Sequence, residues 1–249
     1  MTTSVSRSGL LEGLWRDFIR TAPQAERIRA LLADRGEVVH HDHVGLRTFA
    51  APEAGLGIDA LARRFEAEGW RPRERYRLDG SLLRARYWQH EDPDAPKVFI
   101  SELDVAALSP PAREIVGRLL AKLPAGFADQ PDLPWVGRPW TLSLADHEAL
   151  LAENEHAARI AALGVRVDHV ALDTAALITF PDVDALAAFL AEHAVHIDLE
   201  RRPPRVVPEP IAVALADGVV YLPSGTYELA DLRRRTPLPA RYVPVSVAK

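Results

Sequence analysis

An internal repeat is the feature that most limits what this chain can fold into. Asp42-His43-Val44 recurs as Asp168-His169-Val170, an offset of 126 residues, and Ser101-Glu102-Leu103 aligns with Tyr227-Glu228-Leu229 at the same offset of 126. Each histidine therefore precedes its glutamate by 59 residues. Two separate landmarks sharing one offset imply a duplicated unit whose copies pack against each other. The surrounding patterns agree. Residues 38–49 are β-rich, and 57–69 carry Ile58, Leu61 and Phe65 at helical spacing ahead of Gly69. Strand candidates follow at 70–78, 82–89 and 98–103, with Asp79-Gly80 as a turn signal between the first two. The second copy predicts a strand at 165–172, a helix at 183–192, and strands near 197–201, 211–215 and 219–229. Both copies read β-α-β-β-β, which makes the fold class α+β.

The rest of the chain frames this pair. Residues 1–37 form a helical segment in which Leu10, Leu14, Phe18, Ile28, Leu31 and Leu32 recur at helical spacings and Pro23 splits two helices. The modules are expected at 38–108 and 165–232. Between them, 109–164 is a connector with six prolines from Pro110 to Pro139, a helix near 114–123 and one more helix over 144–163. Residues 233–249 are expected to be a C-terminal tail.

Composition excludes several functions. The 249 residues carry 30 Lys plus Arg against 35 Asp plus Glu, a net charge of −5, so the attraction to phosphate on which nucleic-acid binding depends is missing. There is no cysteine, hence no disulfide, thiol nucleophile or thiolate metal site. Without a signal-peptide pattern or an uninterrupted apolar span, the expectation is a soluble cytoplasmic protein with no membrane partner. The oligomeric state is left open. No phosphate-binding glycine loop or serine nucleophile elbow occurs.

A unit whose first strand offers a histidine and whose last offers a glutamate can, when paired, bring up to four such ligands into one cavity. Imidazole and carboxylate suit Fe(II), with Mn, Ni and Zn as alternatives, and two His plus one carboxylate leave positions open for substrate and oxygen. His43, Gly45 and Arg47 alternate along one strand and share a face. Arg47 would sit roughly 13 Å from His43 along the strand. Its fork suits a carboxylate, and Gly45 would leave the space between them clear. With a divalent ion, Arg47 and one ligand carboxylate, the site carries two net positive charges, which points to a 2-oxo dicarboxylate. Other readings stay open. Arg47 could instead pair with Asp173 or Glu102, Glu228 with Arg233, and Glu102 could be a fourth ligand or an outer hydrogen-bond acceptor. His41 shares the strand face with His43 and rivals it as a ligand, but has no counterpart in the second copy. Arg84 and Arg86 alternate on one strand face as candidate substrate contacts. Arg201, Arg202 and Arg205 read as a solvated loop, and His90, His147, His156, His193 and His196 as solvated or capping residues.

The stretch from Trp15 through Thr21-Ala22-Pro23-Gln24-Ala25, the segments Asp42-His43-Val44-Gly45-Leu46-Arg47-Thr48-Phe49 and Lys97-Val98-Phe99-Ile100-Ser101-Glu102-Leu103, and the run Gly225-Thr226-Tyr227-Glu228-Leu229-Ala230-Asp231 resemble the 2-oxoadipate dioxygenase/decarboxylase family. That family belongs to the vicinal-oxygen-chelate group, in which paired modules form a half-open barrel. The resemblance implies Fe(II)- and O2-dependent decarboxylation and hydroxylation of 2-oxoadipate to 2-hydroxyglutarate, a step of lysine breakdown. It further implies metal ligation by His43, His169 and Glu228, with Arg47 holding a substrate carboxylate. Beside the family it resembles, the chain reads as a short form, for which a different 2-oxo acid is an alternative substrate. Were Glu102 also a ligand, the site would resemble the non-redox lyases and isomerases of the group. A metal-free small-molecule binding module is the third alternative.

Overall fold

The computed structural model describes residues 3–78, 80–200, 205–230 and 242–244. Asp79, Arg201, Arg202, Arg233 and most of the expected tail lie outside them. The chain begins with helices α1 (Thr3–Thr21) and α2 (Pro23–Asp34), with Pro23 in the first turn of α2, where its missing N–H costs nothing. The first module follows as β1 (His41–Phe49), α3 (Ile58–Ala67), β2 (Arg71–Leu78), β3 (Leu83–Gln89) and β4 (Lys97–Leu103). The connector holds α4 (Pro110–Leu120), α5 (Leu144–Glu153) and α6 (Glu155–Leu163). Helix α4 starts ahead of its apolar pattern because Ser109 accepts from the Ala112 N–H and two prolines fit the first turn. The single helix expected over 144–163 is two: Asn154 accepts from the N–H groups of His156 and Ala157, at 3.0 Å each, and starts α6 afresh.

The second module comprises β5 (Arg166–Asp173), α7 (Val183–Glu192), β6 (Ile197–Asp198), β7 (Arg205–Val206), β8 (Pro210–Leu215), β9 (Gly218–Pro223) and β10 (Thr226–Ala230). A short strand, β11 (Tyr242–Pro244), lies beside β2 within the segment expected to be a tail. The main sheet has the order β11-β2-β3-β4-β1-β5-β10-β7-β6, and β8-β9 is a separate hairpin. The two copies are thus mirrored in strand order about the antiparallel β1·β5 pair, each with its last strand parallel to its first. The expected run 219–229 is two strands, because Ser224-Gly225 ends the hairpin before β10 joins the sheet. These helices and the nine-stranded mixed sheet bear out the α+β fold class.

One face of the sheet is covered by helices. Val44, Leu46, Val98, Ile100 and Val170 are buried there with Leu14 and Phe18 of α1 and Leu61 and Phe65 of α3 in one continuous apolar core. The opposite face carries the polar residues of the next section. Among the described residues no helix is long and apolar enough to cross a membrane.

Candidate metal centre

The site grows out of the β1·β5 register. Val44 pairs with its repeat equivalent Val170, which places His43 opposite Ala171 and Gly45 opposite His169. Each imidazole therefore faces a small residue on the neighbouring strand. At position 45 this is obligatory, since a Cβ there would run into the His169 ring. The expectation that Gly45 clears space for substrate is corrected: the space is filled by His169.

Both strands bulge at the aspartate preceding the histidine. The register steps from His41↔Leu172 to His43↔Ala171 around Asp42, and from Gly45↔His169 to Leu46↔Val167 around Asp168. Each aspartate meets its own histidine. Asp42 Oδ2 lies 2.8 Å from His43 Nδ1, and Asp168 Oδ2 lies 3.4 Å from His169 Nδ1. A carboxylate at Nδ1 favours the proton there and leaves the Nε2 lone pair for an ion. Burial lowers the His43 pKa below its ordinary value despite the opposing pull of Asp42, which keeps the ring in the neutral, ligating form. Asp42 also takes a hydrogen bond from Lys97 Nζ at 3.2 Å. Burial works against ionisation of both aspartates, but their cationic and imidazole neighbours outweigh it, and Asp168 is held well below the usual carboxylate range by Arg47, His169 and Arg159.

Glu228 completes the group. It sits beside Ala171 in the parallel β10·β5 pair, two positions past His169, and an even step keeps it on the same face. One donor atom from each of His43, His169 and Glu228 lies within 4.8 Å of the others, and the two imidazoles are 5.3 Å apart, centroid to centroid. Donors about 2.1 Å from a shared ion stand roughly 3–4 Å apart, so small side-chain adjustments suffice to close on one. Two imidazoles with carboxylate-held Nδ1 atoms and one carboxylate form a donor set that fits a divalent transition metal.

Glu102, the repeat partner of Glu228, does not join the group. It lies beside Thr48, five positions past His43, and an odd step turns it to the helix-covered face. There it accepts from the Ile58 N–H at the start of α3 at 2.9 Å and pairs with Arg84 at 3.3 Å. Arg84 and Arg86, opposite Glu102 and Ile100, point the same way, so neither reaches the metal centre. His41 is likewise corrected. The bulge at Asp42 turns it to the helix side, where it stacks on Trp15 with centroids 4.8 Å apart and burial pushes its pKa down to about 4.

His169, Glu228 and Arg47 open into a cavity of about 410 Å³. Arg47 pairs there with Asp168 at 3.1 Å and meets His156 Nδ1 at 2.8 Å, rather than engaging Asp173 or Glu102. Its Nε is buried and has no hydrogen-bond partner among the described residues. Arg159 from α6 bonds Asp168 at 3.1 Å and the Pro223 carbonyl at 2.7 Å, and Arg205 lies across from Glu228. Asp42, Asp168, His156, Arg159 and Arg205 were not foreseen as site residues. The aspartates stand inside the repeated landmark itself, and His156 and Arg159 are one helical turn apart, but nothing local says which face they meet. His147, expected to be solvated or capping, is buried in α5.

No protein-family model matches the chain. A curated protein of Oryza sativa subsp. japonica, 2-oxoadipate dioxygenase/decarboxylase, chloroplastic/amyloplastic, is 27% identical over 187 residues, 68% of this chain and 50% of its own length. The chain spans about half the length of the curated relatives it matches. A solved structure from Shewanella frigidimarina, described as a candidate hydrolase, superposes with a TM-score of 0.85 at 29% identity, covering 96% of both chains. The Oryza sativa hydroxyglutarate synthase in complex with 2-oxoadipate superposes with a TM-score of 0.81 at 21% identity, over 99% of this chain and 89% of that one. In sequence the chain is similar to two curated plant 2-oxoadipate dioxygenase/decarboxylases, and in fold to the hydroxyglutarate synthase.

Proposed function

We propose that this chain is an Fe(II)-dependent dioxygenase/decarboxylase that converts a 2-oxo dicarboxylic acid, 2-oxoadipate, to 2-hydroxyglutarate with uptake of O2 and release of CO2, as a step of lysine breakdown. The observation that carries this reading is the three-donor group His43, His169 and Glu228, from which the fourth candidate, Glu102, is withheld on the other face of the sheet. Three ligands on one side of an ion leave its other positions free, as oxygen chemistry on iron requires, whereas the four-ligand lyase or isomerase reading needs Glu102. The name of the rice relative and the 2-oxoadipate bound to the rice synthase support the choice of substrate.

Bound iron would supply Lewis acidity toward the 2-oxo acid and electrons for O2. The chain's residues do the rest. Asp42 and Asp168 hold the two imidazoles at their Nδ1 atoms, which leaves both Nε2 atoms free to take the ion. Arg47, on the ligand face of β1, offers its guanidinium to a substrate carboxylate, and Arg159 and Arg205 bring further positive charge to the same cavity. The lining carries Arg47, Arg159 and Arg205 against Glu155, Asp168 and Glu228, so a divalent ion leaves two positive charges for a dicarboxylate to cancel. Leu78, Leu83, Pro208 and Pro223 supply apolar walls that limit water around the reacting end.

Oxygen uptake tests the proposal. Protein loaded with Fe(II) without air should consume O2 on addition of 2-oxoadipate and release one CO2 per O2. No uptake with any member of a 2-oxo acid panel would overturn it, and turnover of the same acids by Zn-loaded protein without O2 would favour the non-redox alternative.

A further inference from the structure

Strands β2 and β3 carry arginines at alternate positions on the face turned away from the metal centre. The register sets Arg75 directly opposite Arg86 and Arg77 directly opposite Arg84. Like charges directly opposed across a strand pair destabilise it, and here there are two such pairs side by side. Opposed Cβ atoms are about 5 Å apart and next-but-one positions along a strand about 7 Å, so four guanidinium stems frame one small rectangle. All four line a cavity of about 270 Å³ whose acidic lining residues are Asp59 and Glu102. Glu102 is already shared between Arg84 and the Ile58 N–H. Among the described residues no carboxylate lies within 4.0 Å of Arg75, Arg77 or Arg86. The first turn of α3, Ile58 and Asp59, also borders the cavity and adds the positive end of its dipole. This surplus is local, since the whole chain is net negative, at −5.

We propose that this face binds a small ligand bearing two or more linked phosphate groups. A single carboxylate would answer one guanidinium, whereas two linked phosphates bring enough oxygens and charge for both opposed arginine pairs. The size of the cavity favours a compact ligand over a polymer. The proposal does not depend on the reaction assigned to the metal centre.

Calorimetric titration of the full chain with inorganic pyrophosphate, ADP and orthophosphate tests it. Pyrophosphate should bind one to one, at least tenfold more tightly than orthophosphate. That affinity should fall at least tenfold in Arg77→Gln/Arg86→Gln and persist in His43→Ala, which separates it from chelation at the metal centre. Tighter binding of ADP would identify a nucleotide as the source of the phosphates, and equal binding a free diphosphate. Should the double variant fail to fold, Arg75→Gln should show the same loss in smaller measure. Pyrophosphate and ADP binding no tighter than orthophosphate, affinity unchanged by these substitutions, or binding of an RNA oligonucleotide alone would overturn the proposal.

Discussion

His169 lies across the central strand pair from Gly45, and its ring occupies the volume that any side chain at position 45 would need. Gly45→Ala should therefore push the imidazole off its aim while leaving the apolar core intact. Displacing an oriented ligand costs about 10–100-fold in metal affinity. Titration of Fe(II) or a spectroscopic surrogate such as Co(II) into the variant should show that loss with circular dichroism unchanged.

Removal of either imidazole should be more severe. His43→Ala and His169→Ala each leave two donors of three, and metal analysis after gel filtration should find substoichiometric metal in both variants.

Glu102→Gln separates the three-ligand from the four-ligand site. Because glutamine keeps an acceptor oxygen for the Ile58 N–H and loses only the ion pair with the exposed Arg84, the substitution should cost less than about 1 kcal/mol of stability. Metal stoichiometry and affinity should stay at the wild-type level, as measured by denaturant unfolding and metal titration side by side.

Arg47 presents its guanidinium to the cavity while Asp168 retains Arg159 as a second partner. Arg47→Ala should then raise KM for the 2-oxo acid by about tenfold or more, the worth of one charge-assisted contact, with metal retention preserved. Steady-state kinetics on metal-replete protein give the split between KM and kcat.

Away from the site, Glu37 ties the approach to β1 to the loop before α7. Its buried carboxylate accepts from the Ile178 and Thr179 N–H groups and from the Thr179 hydroxyl at 2.6 Å. Burial opposes ionisation, but these donors outweigh it and lower the pKa. A lowered folded-state pKa contributes stability that is present above the unfolded-state value, near 4.5, and is lost as pH falls through the folded one. Glu37→Gln should therefore be less stable than wild type at neutral pH, and the gap should close in acid, which urea unfolding at a series of pH values would show.

The order of most helices and strands, the duplication and the four ligand candidates His43, His169, Glu102 and Glu228 were legible in the sequence because each rests on local spacing: 3.6-residue and two-residue periodicities, and an offset of 126 repeated at two landmarks. Tertiary structure decided which way the side chains face. Glu102 and Glu228 share one sequence spacing, yet one is five positions along its partner strand and the other two, so they emerge on opposite faces. The bulges at Asp42 and Asp168 turned His41 away and brought each aspartate to its histidine, against simple alternation. Helix α6 delivered His156 and Arg159 to the cavity from a segment that reads as a connector. Facing depends on hydrogen-bond register between strands far apart in the chain, and a shift of one residue reverses it without changing any local propensity.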